Sequence, residues 1–347
     1  MFNVLLRDSS YRKGFSSRVK EWPNAPGIWN EEHVIGWKKI VDAVHKAGGK
    51  IYAQLWHSTS AAISLSKSRL IIATTGRVSH PQAAEQIPSE EFMLLPRDIA
   101  ARGGKFRHIE GTPGYITPRA IKDPWTLIER FKHAAINAKQ AGFNGVELHG
   151  GNGCLIMQFL DTGSNKREDQ WGGSVANRCR FGLEVLKVLV EVFGRNVAVK
   201  LSPAGGYNDV GMPLQETVDT YSNFISEADK MNIAYITLVR YSPKSDPVYD
   251  GVSHATKHDI VGTYRPLIKN TKVFVNSGVT PEEGDRLVRD GKTDGIFIGF
   301  DWIAHPDLVK RIEDGNPLDN KTDVAHIGPR KDELDWSRGY TDYPVAT

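Results

Sequence analysis

Apolar residues follow two alternating rhythms along this chain. Val34, Trp37, Ile40, Val41 and Val44 fall at helical spacing, and Gly48-Gly49 ends that run, which predicts a helix over 31–47. Residues 51–56 read as a strand. Beyond residue 117 the alternation becomes regular. Helices are predicted over 123–141, 175–193, 214–231, 258–268 (the weakest), 281–290 and 304–315. Between them lie strands at 145–149, 197–202, 235–239, 273–275 and 295–298, with one more short strand at 2–6. The strands are almost wholly apolar, as parallel strands buried on both faces are. Strands alternating with helices mean parallel βα units, and this periodicity fits a doubly wound sheet as well as a barrel. Residues 8–26 are a polar loop. Residues 58–117 are irregular and rich in turn formers. A loop of that length is usually functional or disordered, and it is read here as a lid or insertion at the strand ends.

Composition narrows the function classes. The 347 residues carry 44 basic and 41 acidic side chains, interleaved, for a net charge of +3. That argues against a nucleic-acid footprint and against a polybasic membrane patch. The two cysteines, Cys154 and Cys179, make no disulfide framework and suit a reducing, cytoplasmic compartment. No signal peptide, transmembrane helix or metal-ligand motif is read. Since α/β barrels of this size are routinely single, one domain over 1–347 is expected, with its insertion near 58–117.

The stretch 142–181 organises the rest. Strand alternation points Glu147 and His149 to one side, with His149 at the strand's C-terminal end and Asn152 in the loop beyond. In parallel α/β proteins that end is where ligands bind.

This stretch also resembles a family. HGGNG, QFLD and SNKREDQWGGSVANRCRF are similar to a segment of the Old Yellow Enzymes, the flavin ene-reductases. NAPGIW, QLWH, KLSP, IAHPDL and GYTDYP extend the resemblance, in the family's order, over nearly the whole chain, and the sequence is similar to the fungal secondary-metabolism branch. The resemblance implies a (β/α)8 TIM barrel and decides against the doubly wound sheet. Only seven strands are counted where the barrel needs eight. The family's first strand is therefore expected to be lost, or rebuilt by the residues before Asn24.

The same resemblance implies site roles. His149 and Asn152 would bond the carbonyl oxygen of an unsaturated ketone or aldehyde, where negative charge develops. A histidine at a strand end is otherwise an ordinary structural residue, and the flanking motif is what favours this role. Gln54 would bond the flavin ring. His57, at the mouth of the same strand, would contact ligand or move a proton. Ser277, Gly278, Gly299 and Phe300 occupy the two loops that hold the flavin phosphate. The tryptophan-containing run from Arg167 to Arg178 is read as a loop-fixing network, and the roles of Tyr340 and Tyr343 stay open.

Several matching positions depart from the family. Cys154 replaces the tyrosine that protonates substrate carbon, either as a weaker acid or as a small apolar filler. Lys200 replaces an arginine beside the flavin and lacks the planar fork; a structural pair with Glu147 is its plain alternative. Phe300 replaces the arginine that holds the phosphate. These departures all weaken flavin binding or protonation. The expected function is therefore a flavin-independent isomerase that moves a double bond next to a carbonyl, with no cofactor. An FMN- and NADPH-dependent ene-reductase is the alternative, and a catalytically dead binding protein is a third reading. The expected partner is a small unsaturated carbonyl compound, with no nucleic acid or membrane, and homodimerisation is left open.

Overall fold

The computed structural model describes residues 27–56, 94–95, 119–249, 251–327 and 337–346. Six parallel strands form its main sheet: β1 (Tyr52–Leu55), β2 (Gly145–Gly150), β3 (Val197–Leu201), β4 (Tyr235–Val239), β5 (Lys272–Asn276) and β6 (Gly295–Phe297). They lie side by side in chain order. A doubly wound sheet reverses its strand order at a switch point, and this sheet has no reversal. The predicted strand at 2–6 and most of the 58–117 insertion lie outside the described residues.

The sheet is curled. The Tyr52 and Tyr235 rings, on β1 and β4, are 5.7 Å apart between centroids. Three strand spacings in a flat sheet would separate them by about 14 Å. Phe274 and Phe297, from β5 and β6, pack on Tyr235 at 5.1 and 5.7 Å, so the interior is filled by aromatic rings from four strands. The opposite face carries Val146, Leu148, Val199, Leu201, Ile236 and Leu238, all buried. They join Phe131, Phe181 and Phe224 of the surrounding helices in one core. This is the wall of a (β/α) barrel.

The helices follow from caps and periodicity. Helix α1 (Glu31–Lys46) is capped by Asn30, α2 (Pro124–Gln140) by Asp123 and α4 (Val175–Phe193) by Ser174. Between α2 and α4 lies α3 (Leu155–Leu160), which sequence periodicity did not foresee. All six of its residues are buried, and a helix without a polar face has no amphipathic signature. Helix α5 spans Leu214–Lys230.

Two predicted helices are cut by proline. The segment 258–268 gives only α6 (Ile260–Tyr264) and a 3-10 turn, Arg265–Leu267, that contains Pro266. Beyond α7 (Pro281–Arg289), the helix expected over 304–315 is α9 (Leu308–Asp314), which begins four residues later, and a separate short helix, α8 (Phe300–Ala304), precedes it. Pro306 lacks an amide hydrogen and drives His305 out of helical geometry, to φ −129° and ψ 89°.

Candidate active site at the strand ends

Register places the candidate side chains on the inward face of the strands, at two successive levels near the C-terminal ends. Gln54 faces Glu147, His149 faces Lys200, and Lys200 faces Thr237 on successive strands. Glu147 is fully buried. It accepts hydrogen bonds from Gln54 Nε2 at 2.6 Å and Thr237 Oγ1 at 3.2 Å. The Lys200–Glu147 pair weighed as the plain alternative is not a contact ion pair within 4.0 Å. The Lys200 ammonium makes no hydrogen bond, and no ion pair within 4.0 Å, among the described residues. It still feels Glu147 and Cys154 electrostatically: burial lowers its pKa, and those two groups oppose the lowering.

His149 is only 7% exposed. Burial, aided by the charge of Lys200, lowers its pKa to about 3. The imidazole is therefore neutral at physiological pH, and its buried Nδ1 has no hydrogen-bond partner among the described residues. Buried polar atoms are normally satisfied, so this one at a strand end is open to a polar atom of a ligand or to water.

The loop after β2 is shaped by its glycines. A Cβ at Gly151 would sit 2.4 Å from Ser202 Oγ, and one at Gly153 would sit 2.6 Å from the Tyr207 carbonyl. Their absence lets the loop lie down on the segment that follows β3. Asn152 takes a left-handed φ of 54°. Its amide donates to Ser202 Oγ, which in turn donates to Asn152 Oδ1, each at 3.3 Å. Asn208 Nδ2 holds its carbonyl at 2.9 Å. With Oδ1 so engaged, Nδ2 is the atom left over, and it has no partner among the described residues. A small cleft opens beside it, walled by Asn152, Met157, Ser202, Tyr207 and Tyr241 among others. His149 is not among its walls.

Cys154 is buried at the N-cap of α3 and within electrostatic reach of Lys200. His57 lies outside the described residues. Ser202 and Arg240 were not foreseen. Ser202 had a signal, since period two places it two residues beyond Lys200 on the same face. Arg240 had a weaker one, a charge immediately after an apolar strand.

The opposite side of the mouth is built from the loops after β5 and β6. Ser277 and Gly278 have left-handed φ values of 82° and 66°. Open space surrounds Gly278 and Gly299 where a Cβ would stand. Arg240, just past β4, bonds the Ser277 and Gly278 carbonyls. It also grips Glu283 of α7 with both guanidinium ends, at 2.6 and 3.0 Å. That grip holds the Glu283 carboxyl below its usual range. Phe300 begins α8 and is 58% exposed. Elsewhere, Arg167 bonds Asp169 and the Ile121 carbonyl, and Arg178 bonds the Leu160 carbonyl, so this run does fix its loop. Tyr343 accepts the Asp323 amide at 2.6 Å, seating the C-terminal segment beside α8 and α9.

Comparison with known proteins bears on this arrangement. A family model described as NADH:flavin oxidoreductase / NADH oxidase matches residues 14–319. The chain belongs to this family. It is 34% identical over 341 residues to the "Probable inactive reductase easA" of Epichloe festucae var. lolii, covering 95% of this chain and 80% of that protein. It is equally 34% identical, over 335 residues with the same coverage, to 12-oxophytodienoate reductase 2 of Arabidopsis thaliana. The solved structure of the Old Yellow Enzyme homologue from Zymomonas mobilis superposes with a TM-score of 0.77 and 27% identity, over 94% of this chain and 82% of that one. The fold is thus the Old Yellow Enzyme TIM barrel, of which the described residues hold six strands.

FMN, the family's cofactor, supplies hydride chemistry when bound. The phosphate end of its site does not fit here. A phosphate dianion needs a cation with donors to spare. Among the described residues, the cation bonded to the Ser277–Gly278 loop is Arg240, and Glu283 already neutralises it. Phe300 offers an apolar ring at the family's arginine position. No described group of three or more His, Cys, Asp or Glu is placed to hold a metal, and no described helix is long and apolar enough to cross a membrane.

Proposed function

We propose that this protein is a flavin-independent isomerase that shifts the double bond of an α,β-unsaturated carbonyl compound, a fungal secondary-metabolite intermediate in class. The observation carrying this reading is the buried, neutral His149 imidazole with an unspent nitrogen, at a mouth whose phosphate end is already neutralised. Deprotonation at the γ carbon, conjugated to the carbonyl through the double bond, develops negative charge on the same oxygen as hydride addition does. His149 and Asn152 would hold that oxygen in either reaction, and only the redox route requires FMN. One group must remove a proton and one must return it. His57 and Cys154 are the candidates, and His57 is preferred because an imidazole does both near neutrality.

The second reading is an ene-reductase using FMN and NADPH. It is favoured by the retained Gln54 and the glycine-containing loops, and by relatives named as reductases. Incubation of purified protein with small enals and enones in heavy water, without NADPH, separates the two. The isomerase gives a colourless protein and deuterium at the carbon that gains hydrogen. Stoichiometric flavin in fresh protein, with turnover only on adding NADPH and a product heavier by two hydrogens, overturns it.

A further inference from the structure

Among the described residues Lys200 is a cation on the inward face of the strands, and the oxygen-binding role leaves it unemployed. Its Cα partner on β2 is His149, and Thr237 flanks it on β4. Glu147, whose charge acts on Lys200, makes hydrogen bonds to Gln54 and Thr237. The side chain is half-buried and its nitrogen makes no hydrogen bond among the described residues. We propose that Lys200 is a covalent catalyst, whose amine condenses with the carbonyl carbon of the unsaturated aldehyde or ketone to form a Schiff base. This rests on the isomerase reading above and moves the oxygen-holding step of His149 and Asn152 from deprotonation to the formation and hydrolysis of the imine.

The chemistry balances without a redox partner. The neutral amine attacks the carbonyl carbon, forming a C–N bond as the C=O π pair moves onto oxygen. His149 and Asn152 hold that oxygen, which leaves as water with the two amine hydrogens. A proton taken up from solvent by the imine nitrogen, and given back on hydrolysis, then draws electrons from the conjugated chain and acidifies the C–H bond at its γ carbon. Loss of that proton and its return at the α carbon shift the double bond. Water hydrolyses the imine and restores both amine and carbonyl. Burial favours the neutral amine that the first step needs, as in other lysines activated by desolvation. An arginine at this position could not do this, because a guanidinium stays charged.

The test uses the full chain, trans-2-hexenal and sodium cyanoborohydride at pH 7, followed by peptide mapping. Only adducts that require the hydride count as imines, which sets aside conjugate addition to thiols. Reduced adduct at Lys200 is expected about tenfold or more above that at Lys38 and Lys230, whose side chains are 56% and 68% exposed. Lys200→Arg should lose about a hundredfold or more of the double-bond shift. Adducts that track exposure and leave Lys200 unmodified overturn the proposal, even if deuterium uptake persists in Lys200→Arg and the isomerase reading survives. Adduct at Lys200 without any deuterium uptake supports the imine and removes the isomerase reading instead.

Discussion

The two sides of the barrel mouth differ in how their polar groups are spent. On the β2–β3 side, His149 Nδ1, Asn152 Nδ2 and the Lys200 ammonium all lack hydrogen-bond partners among the described residues. On the β4–β6 side, Arg240 uses its fork on Glu283 and on two loop carbonyls, and Phe300 contributes no polar side-chain atom. One side is arranged to receive polar ligand atoms, whereas the other is closed by an internal ion pair. A flavin enzyme needs both sides, since the ring and the phosphate of one molecule span them. A carbonyl substrate needs only the first. The contrast is informative because both sides belong to one barrel, so a general loss of site residues would not sort them this way.

The comparison breaks most directly at His149. His149→Ala should lower the double-bond shift by about 10²–10³-fold, the range for loss of one oxyanion donor. The fold should survive, because the removed nitrogen is already unsatisfied. Steady-state rates on the best substrate of the enal and enone panel check this, with circular dichroism as the fold control. Full activity would remove His149 from the oxygen site.

A second expectation concerns acid. The folded-state pKa of His149 lies near 3, below the ordinary value of 6.5. The unfolded chain therefore binds more protons between those two values, so stability rises with pH across that window. Stability from this residue is fully present above about pH 6.5 and is lost as pH falls toward 3. Between pH 7 and 5 the loss should be about 2 kcal/mol. Urea titrations at both pH values, compared with the same pair in His149→Ala, isolate it. A variant that loses as much stability as the parent would show that His149 is not the group responsible.

Most of the barrel was legible in the sequence. Strands β2 to β5 stand where apolar runs predicted them, because a strand buried on both faces has no solvent side to blur its ends. The closing helix was expected four residues too early, because Pro306 keeps His305 out of helical geometry. Alternation alone put Glu147, His149 and Lys200 on one face. What alternation cannot give is pairing across strands. Glu147 could have met Lys200, but Gln54 and Thr237 reach it first, from β1 and β4, and Arg240 finds Glu283 from 43 residues away. Such partners are set by curvature and register, to which a single strand's pattern is blind.

The last expectation sharpens the comparison by repairing the closed side. Phe300→Arg restores a guanidinium at the start of α8, next to loops that leave open space at Gly278 and Gly299. The substitution should cost little stability, since the Phe300 side chain is exposed and only its backbone carbonyl is used, accepting Thr322 Oγ1 at 2.9 Å. One charge-assisted hydrogen bond contributes about 1.5–3 kcal/mol, so FMN affinity should rise by roughly tenfold or more. Quenching of flavin fluorescence on titration measures it, with riboflavin as the control lacking phosphate. An equal gain for riboflavin would mean that the arginine stacks on the ring and leaves the phosphate end unrepaired. No gain for either ligand would place the obstacle elsewhere, with the Arg240–Glu283 pair the next to open.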